Sequence, residues 1–164
     1  MGRFFVTETI EAPTDAVWAI LRDPARAPEW MKTVALVEKS SEGEIAKGAT
    51  FHASSSKRGR HGRTVTVAEW EEGRRVALAS KTGGVSSVYD YVCEPSEDGK
   101  TKVTLKATCD GKGFLWTIMQ PMLIFMIKST DGGQLKRLKK LVETPPAPAN
   151  DDADAKVPEQ VDAA

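Results

Sequence analysis

From Thr33 to Cys109 the chain reads as six strand-length runs separated by turn chemistry, and this rhythm constrains the fold more than any single motif. The runs are Val34 to Lys39, Thr50 to Ser55, Arg63 to Trp70, Arg75 to Ser80, Val85 to Cys93 and Lys102 to Cys109, rich in β-branched and aromatic residues. Between them lie Glu42-Gly43-Glu44, Gly59 to Gly62, Glu72-Gly73-Arg74, Gly83-Gly84 and Glu97-Asp98-Gly99-Lys100, which tolerate positive φ or close a tight turn. Strands joined so briefly pair antiparallel. In the last run Val103, Leu105, Ala107 and Cys109 alternate with Lys102, Thr104, Lys106 and Thr108, so one face is buried and the other wet.

A sheet with one apolar face needs a cover, and the element left to supply it is Gly113 to Glu143. That segment reads as one long, imperfect helix. Phe114, Leu115, Ile118, Met119, Met122, Phe125 and Met126 make a wide apolar stripe, and Leu135, Leu138, Leu141 and Val142 a narrower one among lysines. Pro121 removes an intrahelical hydrogen bond, and Gly132-Gly133 makes a second soft point. The apolar run Phe114 to Ile127 is interrupted by Gln120 and Pro121 and is shorter than the ~20 residues that cross a bilayer, so no membrane span is expected.

At the other end Phe4 to Ile10 reads as a strand, with Phe4, Val6 and Ile10 on one face. After Pro13 the period becomes helical through Ala16, Val17, Ile20 and Leu21, with Thr14 or Asp15 as the expected N-cap and Asp23-Pro24 as the stop. A second short helix is expected over Ala25 to Trp30.

The division into parts follows from composition. Residues 1–143 carry the periodic patterns and form one domain, whereas 144–164 is an acidic, Pro/Ala-rich tail expected to be disordered. The chain as a whole has 23 Lys and Arg against 23 Asp and Glu. The tail holds Asp151, Asp152, Asp154, Glu159 and Asp162 against Lys156, which leaves the domain a net charge of +4. So modest an excess argues against a nucleic-acid partner. The basic run Lys57 to Arg63 lacks interleaved aromatics and reads as a solvated hairpin tip.

Cys93 and Cys109 lack the spacing of a zinc site or a redox pair and read as buried free thiols. No metal-ligand spacing, phosphate loop or nucleophile elbow occurs, so no metal or cofactor is implied. The N-terminus shows no secretory signal, which gives a cytoplasmic expectation.

The run Ile10, Ala12-Pro13, Val17-Trp18, Leu21, Asp23, Pro28 and Trp30 resembles the opening signature of the SRPBCC superfamily, also called START-like or Bet v 1-like, and within it the polyketide cyclase/dehydrase group. Gly113, Pro121 and the pattern Leu135, Leu138-Lys139, Leu141, Glu143 look like that group's closing helix. The resemblance covers nearly all of Phe4 to Glu143. It implies an α+β helix-grip fold: a seven-stranded antiparallel sheet curled around a long C-terminal helix, two short helices between strands 1 and 2, and an elongated cavity between sheet and helix. Members of the superfamily carry lipids, hold metabolites, cyclise polyketides, hydrolyse reactive compounds or act as interaction modules, and the fold does not choose among these.

Candidate site residues follow from that implied cavity. Tyr89 and Tyr91 share a strand face opposite Asp90, and their hydroxyls suit the polar end of a ligand in an apolar chamber; packing in the core is the alternative. Met119, Met122 and Met126 lie on one helical face and suit an adaptable wall, with plain core as the alternative. Trp30 and Met31 are candidates for a portal, and Phe51 and His52 for the cavity lining on strand Thr50 to Ser55. His52 and His61 are the histidines available to an enzyme, and neither has an evident partner in sequence.

The expected function is binding of a hydrophobic or aromatic small molecule. Its rivals are a cyclase, dehydrase or hydrolase using cavity Tyr or His, and a protein–protein interaction module. Neither the catalytic residues nor the oligomeric state is legible.

Overall fold

The computed structural model describes residues 2–56, 62–111 and 114–144. Its elements follow in the order β1 (Gly2–Ile10), α1 (Thr14–Leu21), a 3-10 turn (Pro24–Arg26), α2 (Ala27–Trp30), β2 (Leu36–Lys39), β3 (Thr50–Ser54), β4 (Arg63–Glu71), β5 (Arg75–Thr82), β6 (Val85–Pro95), β7 (Thr101–Gly111), α3 (Phe114–Asp131) and α4 (Gln134–Glu143). The expected tail and the basic tip Lys57 to His61 lie outside the described residues, apart from Thr144.

The seven strands form one antiparallel sheet in the order β1-β7-β6-β5-β4-β3-β2. Each hairpin joins sequence neighbours, and β1 closes the far side by pairing with β7 from Gly2↔Cys109 to Ile10↔Thr101. A bulge between Val67 and Glu69 in β4 shifts its register with β5, and beyond it Trp70 meets the ring of Trp18 at 5.3 Å. The alternation read along β7 is the one observed: Val103, Leu105, Ala107 and Cys109 are buried while Lys102 and Lys106 are exposed.

The packed core lies over the β1, β6 and β7 half of the sheet. Ile10, Val17, Leu21, Tyr91, Val103, Leu105, Leu135 and Leu138 are fully or almost fully buried there, beneath α1 and α4. α3 lies against β1, where Ile124 fills the place a Cβ at Gly2 would take; glycine at this position permits the close approach. The closing element is divided at its glycine soft point, with α3 ending at Asp131 and α4 starting at Gln134. Pro121 stands inside α3.

One local expectation is corrected. The residue at the head of α1 is Pro13 in extended conformation, and no side chain caps the helix. Thr14, expected as cap, is its first residue; its hydroxyl lies 3.2 Å from that of Thr101, tying the helix start to β7.

Candidate ligand cavity

The other half of the sheet is not fully packed. Between β2–β6 and the segment from Pro24 to Val34 lies a cavity of about 60 Å³, walled by Ala27, Met31, Val34, Phe51, Val65 and Leu78. It continues into an outer recess of about 370 Å³ that reaches Val85 and Ile127. The two spaces share Thr33, Arg63, Ser80, Tyr89 and Asp131. An apolar inner room thus opens through a polar ring into a wider space.

The ring is built from distant parts of the chain. Tyr89 on β6 points inward because it shares a face with the buried Tyr91 and Cys93. Its hydroxyl donates to Asp131 Oδ2 at 2.7 Å, and Thr33 donates to Asp131 Oδ1 at 3.3 Å. The last residue of α3 is therefore tied both to the sheet and to the loop before β2. Burial, reinforced by the negative charge of Asp131, pushes the Tyr89 phenol well above its ordinary range, so the hydroxyl keeps its proton. Ser80 and Ser87 pair across β5 and β6 with their hydroxyls 3.0 Å apart.

Tyr91 lies deeper, beside the room rather than in its wall. Its hydroxyl donates to Gln134 Oε1 at 2.9 Å and its ring meets Trp30 edge-on at 5.5 Å. Burial holds this phenol protonated as well. Gln134 Nε2 and Trp30 Nε1 are buried with no hydrogen-bond partner among the described residues. On the outer face Asp90 takes a two-pronged bond from Arg75, at 2.9 and 3.0 Å. Burial also raises both thiols, that of Cys93 to about 12, and neither cysteine is in a disulfide. No group of metal-ligating side chains occurs among the described residues.

Of the nine residues singled out in sequence, the structure brings Met31, Phe51 and Tyr89 to the cavity wall. Trp30 and Tyr91 are packed core next to it. His52 is displaced from the candidate set: it sits one residue from Phe51 and so points to the opposite face of β3, between Glu38 and Thr64, with its ring against Gly62. Met122 is likewise turned away, 59% exposed, because the face of α3 carrying Ile118, Met122 and Phe125 looks outward. The side chains of Met119 and Met126 lie outside the described residues. Among the described residues the cavity's cover is the α2 segment and the end of α3.

Four ring residues, Thr33, Arg63, Ser80 and Asp131, escaped the sequence reading, and two of them had a signal. Arg63 was grouped with the basic tip, but positions 63, 65 and 67 alternate inward. Asp131 ends α3, where the helix dipole disfavours an acid, and an acid so placed points to a tertiary partner.

The family profile described as "Polyketide cyclase / dehydrase and lipid transport" matches residues 1–143. The chain belongs to this family. No curated protein matches it. Among solved structures, a protein from Mesorhizobium loti is 17% identical with a TM-score of 0.66, over 86% of this chain and 96% of that one. A START superfamily protein from Mycobacterium smegmatis is 14% identical with a TM-score of 0.64, over 86% and 97%. The di-domain ARO/CYC protein BexL of the BE-7585A biosynthetic pathway is 17% identical with a TM-score of 0.67, over 87% of this chain and 47% of its own length. These likenesses establish the START/Bet v 1-like helix-grip fold. Among the described residues no helix is long and apolar enough to cross a membrane.

Proposed function

We propose that this family member binds an apolar small molecule, to carry or sequester it, with the apolar end in the inner room and the polar end at the Tyr89–Asp131 ring. The observation that carries the reading is an apolar room beside a packed core, opening through hydrogen-bonded polar groups. That is the composition of a ligand site, where apolar walls supply affinity and a few polar groups set orientation. The inner room is smaller than the ~300 Å³ at which ligand pockets usually begin, so an extended ligand leaves part of itself in the outer recess. The state of the tyrosines favours binding over proton transfer. A phenol held far above neutral is a weak acid, and when protonated it is no base.

A second reading, an interaction module, draws on Ile118, Met122 and Phe125, which are 61%, 59% and 74% exposed along one side of α3. Native mass spectrometry after mild purification distinguishes the two. A noncovalent small-molecule adduct that disappears when the inner room is filled supports carriage, whereas a stoichiometric protein partner with an empty cavity supports the module. Turnover of a bound substrate that Tyr89→Phe abolishes at unchanged affinity would replace both with an enzyme.

A further inference from the structure

Resting on the binding reading above, we infer that the ligand ends in a carboxylate and that the Arg63 guanidinium receives it. The ring between the two spaces holds Thr33, Arg63, Ser80, Tyr89 and Asp131, with Ser87 beside it in the outer recess. All but one of these have partners. Asp131 accepts from Tyr89 and Thr33, and Ser80 pairs with Ser87. Arg63 is the exception: among the described residues its side chain has no hydrogen bond and no ion pair, although it is partly buried and lines both spaces. Its position is fixed by the sheet, since it opens β4 opposite Ala53 and shares the inward face with Val65.

A guanidinium presents a planar fork of donors that matches a carboxylate in two parallel bonds. Taking such a cation partly out of water without a counter-charge is unfavourable, so the site is completed by an anion. Asp131 makes no ion pair with Arg63; its two oxygens accept from Tyr89 and Thr33. The neighbouring geometry sets the rest of the molecule. An apolar chain leading away from the carboxylate meets Leu78, Val65 and Phe51 in the inner room, while the head stays in the wider recess where water reaches it.

The test is isothermal titration of the full chain with octanoate and with 1-octanol, which share a chain length and differ in the head. Wild type should bind octanoate about tenfold or more tightly, the size expected of a charge-assisted pair. In Arg63→Gln, melting as wild type does, octanoate should fall to the level of 1-octanol while 1-octanol is unchanged. Arg63→Lys, which keeps charge without the fork, should retain part of the preference. Equal affinity of wild type for the two heads, or a preference that survives Arg63→Gln, overturns the inference and leaves the binding reading standing. Binding of neither molecule removes both.

Discussion

Val65 and Val67 point to the same side of β4 two residues apart, yet one borders the inner room and the other is packed at 1% exposure. Their replacement by Phe should therefore have opposite consequences. An unfilled cavity of about 60 Å³ costs at most ~1.4 kcal/mol at ~24 cal/mol per Å³. Val65→Phe, which places an aromatic of good strand propensity at the site, should then change stability by between zero and about +1.4 kcal/mol, on the order of that cavity term. Val67→Phe enters a space with no room and should destabilise by ~1 to 3 kcal/mol through overpacking. Urea unfolding followed by tryptophan fluorescence reads both values, with an unchanged m-value required for a valid comparison. Val65→Phe should also weaken 1-octanol binding, which Val67→Phe leaves largely intact wherever the protein is folded. If Val65→Phe destabilises as much as Val67→Phe, the inner room does not exist as space in solution.

Other consequences follow from the buried polar groups. Tyr91→Phe strips Gln134 of its one side-chain partner and should cost ~1 to 3 kcal/mol, and adding Gln134→Leu should recover much of the loss, since removing both partners is nearly neutral; denaturant titration of the single and double variants checks this. Tyr89→Phe should loosen the end of α3, measured as faster amide exchange near Asp131 and Gly132, with a stability loss of ~1.5 to 3 kcal/mol from a bond to a charged acceptor. Met122→Trp should change stability by less than ~0.5 kcal/mol because the side chain is exposed. The Cys93 thiol is held protonated in the fold, so the unfolded chain loses its proton first as pH rises; stability should fall from the ordinary thiol range up to about pH 12, and Cys93→Ala should flatten that part of the pH–stability profile.

The architecture was legible because its signals are local and repeated. The runs are set off by turn chemistry, so the hairpin pairing from β2 to β7 followed from chain order, whereas the closure of β1 on β7 did not. That Tyr89, Tyr91 and Cys93 share one face of β6 was readable as well, but not that this face turns to the cavity. What failed to emerge was which apolar stripe borders empty space. Met122 and Met31 look equally suited to a wall; the first is turned to solvent by the rotation of α3, and the second reaches the cavity because a 3-10 turn and α2 fold over β2 and β3. The opposite side of α3 meets Gly2 through Ile124, a contact between residues far apart in the chain. The Tyr89–Asp131 bond spans 42 residues and leaves no trace in local periodicity beyond the oddity of an acid at a helix end.

The central claim is that an apolar ligand enters the room beside the packed core, and methyl NMR during titration with 1-octanol tests it most directly. The methyl signals of Val34, Val37, Val65 and Leu78 should shift saturably and together, while those of Val76, Val103 and Leu138 stay in place. Saturable shifts confined to Ile118 on the outer face of α3, with the four cavity residues unmoved, would contradict the account.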